Sequence, residues 1–454
     1  MIANESYLAT VKELSDRLVE LQRPIRILDA IKWGAEVEQR FFERGARELP
    51  DVDLAFYQAR PLSFDHAAKR AELQDLDRQV RRQLGRINPV AEILSRMCRE
   101  YDTVVAMLEA RGTPDFSRFS QDLYGSADDV FHAGDPTLAD LGTMMFGALE
   151  RLADSPQLVA EEPRHSGEAA VDILRRRLEE AFSGTGHDIR VDLADGIVAD
   201  AAAGADYIKI RREARFTDRD LRLLEIHEGW VHLGTSLNGR SQPVCTFLSK
   251  GPPSSTVTQE GLAVLMEILT FSSYPERLRK LTNRIRGIKM AEDGADFLEV
   301  YRSFLAQETV EPIVGGSSSG DPAPGEPAAG DQVSDAERRA FRQAARVFRG
   351  SLPDAGPFTK DLSYSKGFVM IYNYLLLAVR KGLLQRIPLL YCGKTTLEDL
   401  RLLEHLVDEG VVQAPRFLPP QFADLQALSA WMCYANFLSR LDLQRIEADF
   451  AEIL

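Results

Sequence analysis

The chain has 454 residues, 44% hydrophobic and 27% charged, a globular composition with room for a substantial core. Its formal net charge of −14 and pI near 5.2 exclude a general nucleic-acid binder, because neutralising phosphates requires a basic face. Nowhere do about 18 apolar residues run without a charge, so no membrane span is expected.

The chain opens with MIANESYLATVKELSDRL, which does not follow the basic-then-apolar order of a signal peptide, and a soluble, cytoplasmic protein is expected. Residues 1–160 read as a helical region, with apolar side chains three and four apart, as in Leu18, Leu21 and Ile25, or Val90, Ile93, Leu94 and Met97. Its alternating charges, as in 68-AKRAELQDLDRQVRRQLGR-86, read as solvated helix faces. The four cysteines, Cys98, Cys245, Cys392 and Cys433, form no C-x-x-C pair and are expected to be packed thiols rather than disulfides or metal ligands.

A central segment, 161–311, begins with a helix over 168–184. The periodicity then changes to two in 189-IRVDL-193, 197-IVADA-201 and 206-DYIKIR-211, which predicts a three-stranded antiparallel meander. The segment 217-TDRDLRLLEIHEGWVHLG-234 opens on a capping signal, Thr217 with Asp220, and continues as a helix; a further helix is predicted over 258–269. Residues 312–334, rich in Pro, Gly and Ser, read as a flexible insertion. Beyond it, 335–454 resumes helix at 335–350, passes through a loop or strand entry at 357–364 and forms a buried helix over 367–383. The fold class expected is α+β, predominantly helical, with a short antiparallel sheet beside the helix that carries 227-HEGWVH-232.

That hexapeptide resembles a zinc-protease helix, yet His227 and His232 are five residues apart instead of the four that put both imidazoles on one face. In a regular helix a five-residue step leaves them roughly 140° apart. One π-type turn, at about 4.4 residues per turn, would bring them within ~50° of each other. A metal site therefore predicts a local bulge near Gly229; otherwise His227 is a core histidine and His232 a surface one. Downstream, Glu260 and Glu267 are seven apart on one face of the next helix. Glu260 reads either as the third ligand or as a first-turn carboxylate favoured by the helix dipole.

HEGWVH, followed by Asn238-Gly239 and by 259-QEGLA-263, is similar to the microtubule-associated tyrosine carboxypeptidases and to bacterial relatives described by a QEGLE motif. The segments 207-YIKI-210, 346-RVFRG-350, 358-FTKDLSY-364 and 393-GK-394 carry the same resemblance. It implies a gluzincin-like metallopeptidase with one Zn2+ held by His227, His232 and Glu260, and with Glu228 as general base. The expected activity is hydrolysis of the last peptide bond of a peptide or protein, as in the animal enzymes that remove a C-terminal tyrosine from tubulin.

A carboxypeptidase also needs a cation for the substrate's terminal carboxylate. Lys209, Arg211 and Lys360 are the candidates, with Arg346 and Arg349 in a second block; each alternatively reads as a solvated surface charge. Tyr364 reads as a donor to the developing oxyanion or as a packing residue. Asn238-Gly239 is expected to cap the helix C-terminus, and Trp230 to wall the site or fill the core. Two rival functions stay open: a zinc amidase on a non-peptide substrate, and a regulatory protein with a structural or vestigial metal site.

Overall fold

The apolar repeats of the first 160 residues close into helices, and those helices supply much of the core. In the helix Pro89–Glu109, Asn88 caps the N-terminus by accepting from the amides of Val90 and Ala91, and Pro89 occupies the first turn, where its missing N–H costs nothing. Its buried face, including Ile93, Leu94, Met97, Val104 and Leu108, joins the helices Glu5–Gln22 and His66–Leu84 in the largest apolar cluster. The computed structural model describes every residue except 1–3, 154, 156, 159–160, 184–188, 196, 198, 205, 310–332, 452 and 454. The insertion expected over 312–334 therefore falls almost wholly outside the described residues.

Three apolar clusters organise the molecule. The largest unites the N-terminal helices with the helices Pro253–Leu269 and Ser363–Arg380 and the C-terminal segment. A second, rich in aromatics, packs Val37 and Phe41 against Phe297, Phe341 and Phe348. The third lies between the strands and the helix Gly167–Ala181. The segment 218–240 bridges two of them: Ile226 and Val231 enter the first cluster, while Leu221, Leu233 and Leu237 enter the third. Residues 227, 228 and 232 are left for the site between.

The protein is predominantly helical, as expected, but the sheet is not a meander. The strands β1 (His165–Ser166), β2 (Arg190–Ala194), β3 (Ala201–Ala203), β4 (Tyr207–Arg211) and β5 (Arg215–Phe216) form two sheets. β1 and β5 are an antiparallel pair, and the other three are ordered β2-β4-β3. β4 runs parallel to β2, with Val191 opposite Ile208, and antiparallel to β3, with Ala203 opposite Ile208. The predicted strand at 197–201 begins instead at Ala201, and it pairs with β4 rather than β2. Ile208 and Ile210, the two most buried residues of β4, take the centre over the third cluster, which leaves the alanines at the edge.

No helix among the described residues is long and apolar enough to cross a membrane. The four cysteines are free, three of them buried, and burial pushes the Cys98, Cys245 and Cys392 thiols up to about 12.

Candidate metal centre

The Thr217 side chain accepts from the Asp220 amide at 3.0 Å, and the Asp220 carboxylate accepts from the Thr217 amide at 2.9 Å, completing the expected capping box. The helix Asp218–Leu224 then widens into a π-helix over Glu225–Leu233 and returns to α over Gly234–Arg240. The bulge required by the five-residue histidine spacing is therefore present. At Gly229, a Cβ would meet Leu178 Cδ2 at 2.5 Å, so glycine lets the neighbouring helix approach the widened turn. The His232 carbonyl is not left idle by the change of ladder: Ser236 Oγ donates to it at 2.7 Å and Lys394 Nζ at 3.0 Å.

The widened turn brings the two imidazoles together as a T-shaped pair with ring centroids 4.8 Å apart. Both Nε2 atoms lie 3.4 Å from Glu260 Oε2. One ligand atom from each of His227, His232 and Glu260 falls within 4.8 Å of the others, and this is the one such cluster among the described residues. Glu260 sits two turns inside the helix Pro253–Leu269, which starts five residues earlier than expected, so the helix dipole of a first turn does not explain it. Its Oε2 is buried with no hydrogen-bond donor. Two imidazole nitrogens and an unpartnered carboxylate oxygen converging on one point fit a divalent metal ion.

Glu260 is brought there by an unusually close helix crossing. A Cβ on Gly261 would lie 2.2 Å from the Gly367 carbonyl carbon, and one on Gly367 would lie 2.0 Å from Val257 O. Two glycines therefore let the helices Pro253–Leu269 and Ser363–Arg380 touch backbone to backbone. The crossing sets Tyr364, one turn before Gly367, with its ring 6.2 Å from that of His227.

Residues 39–313 and 330–440 match the family model described as microtubule-associated tyrosine carboxypeptidase. The chain belongs to that family. No curated protein matches it. The family match omits 314–329, within the stretch read as an insertion, and extends back to residue 39, well before the motifs that carry the resemblance. Membership in the tyrosine carboxypeptidase family implies a peptidase of carboxypeptidase type.

Behind the His227-His232-Glu260 cluster of this family member lies a second layer. His227 Nδ1 is 2.7 Å from Glu267 Oε1, and Arg277 holds both Glu267 oxygens at 2.7 and 3.0 Å. With Nδ1 donating to Glu267, Nε2 of His227 faces Glu260, and its lone pair becomes free for a metal ion when the Nε2 proton leaves. Burial pulls the His227 imidazolium down, but Glu260, Glu267 and the Glu228 charge outweigh it and leave the pKa pushed up to about 10. Burial pushes the Glu267 carboxyl up, and Arg277 and His227 overcome that and hold it down at about 2. Glu260 likewise lies well below the usual carboxylate range, because His232, His227 and Lys360 overcome its burial.

The other residues singled out in the sequence separate into two groups. Glu228 Oε2 accepts from the Ala203 amide of edge strand β3 at 2.8 Å, and Lys360 Nζ lies 3.6 Å from Glu260 Oε1. Tyr364 joins them. Lys209 does not: it projects from the solvent side of β4, opposite Ile208 and Ile210, with its ammonium 5.4 Å from the Tyr207 ring. Arg211 is drawn away to Asp200. Arg346 is bidentate to Asp361 at 2.8 and 2.9 Å, and Arg349 lies over Phe358. Trp230 packs on Phe182 with centroids 5.1 Å apart, a core contact.

Asn238-Gly239 is no cap. Both lie inside Gly234–Arg240, and Gly239 is not among the left-handed glycines. Asn238 is buried, donating to Tyr391 O and Phe417 O and accepting from the amides of Arg416 and Phe417; Gly239 lets the Leu248 carbonyl approach. Three site residues escaped the sequence reading: Glu267 as the partner of His227, Arg284 over Tyr364, and Lys394, buried against Thr235 and Gln259. Their signals were faint. Glu267 shares a helix face with Glu260, and Lys394 lies in the family-like Gly393-Lys394 pair.

Proposed function

We propose that this chain is a zinc carboxypeptidase that removes the last residue of a peptide or protein, with His227, His232 and Glu260 as the metal ligands. The observation that carries the proposal is the buried, donor-free Oε2 of Glu260 facing two imidazole nitrogens, with Glu228 adjoining His227 on the widened turn. When bound, the metal supplies Lewis acidity and lowers the pKa of a coordinated water toward 7, which three protein ligands with an open position allow.

The side chains do the rest. Glu228 accepts a proton from the attacking water, whose hydroxide joins the scissile carbonyl carbon. The same carboxyl then returns the proton to the amine nitrogen as the C–N bond breaks. The Glu228 carboxylate is held on edge strand β3 by the Ala203 amide. Lys360 neutralises the second oxygen of Glu260 and keeps Oε2 toward the imidazoles. Tyr364, at the first turn of its helix and stacked near His227, offers its hydroxyl to the oxyanion that forms on the carbonyl.

A Glu beside the first histidine, with three candidate ligands gathered among the described residues, favours catalysis over a structural site, which normally closes with four. The test is metal analysis combined with mass-spectrometric trimming of peptides. Wild type is expected to hold one zinc and shorten peptides by single C-terminal residues; Glu228→Gln is expected to hold zinc and shorten none. Zinc-loaded wild type that trims no member of a diverse peptide set would sink the proposal, and release of ammonia or an amine from non-peptide amides would point to the amidase instead.

A further inference from the structure

The helix Pro275–Glu292 carries Arg277 and Arg284 seven residues apart, hence on one face. Both guanidiniums approach the Tyr364 ring, with Cζ at 5.9 and 4.2 Å from its centroid. Their partners differ. Arg277 is committed to Glu267 through two hydrogen bonds. Arg284 makes no hydrogen bond to any described residue, and its Nη1 is buried without a partner. The nearest carboxylate oxygen, Asp361 Oδ2, is 4.0 Å away and already occupied by Arg346.

Charge on this wall does not balance. Arg277 pairs with Glu267, Arg346 with Asp361, and Lys360 with Glu260, which leaves Arg284 and the buried Arg349 over. Burial, reinforced by the neighbouring Arg346 and Arg277, holds the Arg284 guanidinium below its ordinary pKa. A partly buried cation with free donors is costly unless an anion completes it. Arg284 Cζ lies over the Tyr364 ring at 4.2 Å from the centroid, a contact that limits the movement of the guanidinium, whose N–H groups suit a bidentate acceptor.

We infer that Arg284 is the anchor for the substrate's terminal carboxylate, so that the site selects a free C-terminus. This rests on the carboxypeptidase reading. The spacing suits it: given the Arg284–Tyr364 and Tyr364–His227 separations, the guanidinium lies no more than about 10 Å from the His227 ring. A scissile carbonyl carbon and the carboxylate carbon of the same terminal residue are three bonds apart, about 3–4 Å, so one terminal residue with a polar contact of about 3 Å at its carboxylate fits within that limit. The anchor is also absent from the cations named by motif. Lys209 and Arg211 face away on the sheet, Lys360 and Arg346 are already paired, and Arg349, though unpaired among the described residues, is buried over the Phe358 ring instead of Tyr364.

The test separates binding from turnover. Full-length, zinc-loaded Glu228→Gln protein is titrated by calorimetry with acetylated dipeptides of varied last residue, each as free acid and as C-terminal amide. At least one free acid is expected to bind about ten- to hundredfold tighter than its amide, the span of a charge-assisted hydrogen-bonded pair. Arg284→Met in the same background is expected to reduce the acid to the amide's affinity without weakening the amide, and Arg284→Lys to restore part of the difference. Because Arg284 donates no hydrogen bond to any described residue, Arg284→Met is expected to melt no lower than its parent. Equal binding of every acid and amide, or an acid preference that survives Arg284→Met, overturns the inference. Acid preference without any trimming by wild type leaves the anchor standing and removes the hydrolase; trimming of amidated and free peptides alike does the reverse.

Discussion

His227 Nδ1 lies 2.7 Å from Oε1 of Glu267, a carboxylate with no solvent exposure whose oxygens are both held by Arg277. Such a partner fixes the tautomer and plane of a ligand imidazole, and its loss typically weakens metal binding about 10–100-fold. Glu267→Gln is expected to lower zinc affinity by about that factor in a chelator competition. Glu260→Gln, which removes a ligand, is expected to abolish measurable binding. Equal effects of the two substitutions would place Glu267 among the ligands.

The elevated His227 pKa carries a sign. Below about 6.5 the imidazole is protonated in both folded and unfolded metal-free chains, and its pairing with Glu260 and Glu267 stabilises the fold in full. That contribution is lost as pH rises through about 10. Metal binding displaces this proton, so metal is favoured at higher pH. The zinc-induced rise in melting temperature is expected to be larger at about pH 8.5 than at about pH 6; a constant shift would show that His227 releases no proton.

Lys394 reaches the widened turn from far along the chain, donating to His232 O, Thr235 Oγ1 and Gln259 Oε1 at 3.0, 3.1 and 2.8 Å. Lys394→Met removes a charged donor from those acceptors, a cost of about 1–3 kcal/mol, although His232 O keeps Ser236 Oγ and Gln259 Oε1 keeps Thr235 Oγ1. Faster amide exchange across residues 229–236 and zinc affinity lower by about tenfold are expected. Unchanged exchange there would show that the turn holds its shape without the lysine.

Gly261→Ala drives a methyl into Gly367 backbone, where neither helix can yield by turning a side chain. A loss of about 3 kcal/mol or more is expected in urea unfolding, with zinc affinity falling as Glu260 is displaced. Gly382→Ala, which meets nothing within 4 Å but sits at φ +69°, should cost only about 1 kcal/mol and leave zinc binding alone.

The parts of this site that were legible in the sequence are those encoded by local spacing. The five-residue step between His227 and His232 forced the choice between a bulge and no site, and the bulge is there. The Thr217 box needs only its own four residues. The alternation at Tyr207–Arg211 marked a strand correctly, but sheet order depends on which strand wins the centre, and the alanines of β3 lost it to Ile208 and Ile210. Asn238-Gly239 read as a cap because cap chemistry is local, whereas its true partners, Tyr391 and Phe417, are 153 and 179 residues away. Lys394 and Arg284 were hidden for the same reason: their significance lies in groups distant in the chain that the fold brings beside them.

The widened turn is, in effect, a phase slip. Every residue after it is rotated by roughly 100° from where an unbroken α-helix would carry it. The seven residues Gly234–Arg240 are packed in that rotated frame, with Asn238 seated on Tyr391 and Phe417 and Gly239 against Leu248. Deleting one residue between the histidines would give the four-residue spacing of an H-E-x-x-H helix and, in the same stroke, turn Asn238 out of its pocket. The two spacings are kept apart by the packing of Gly234–Arg240, downstream of the two histidines, as much as by the histidines themselves.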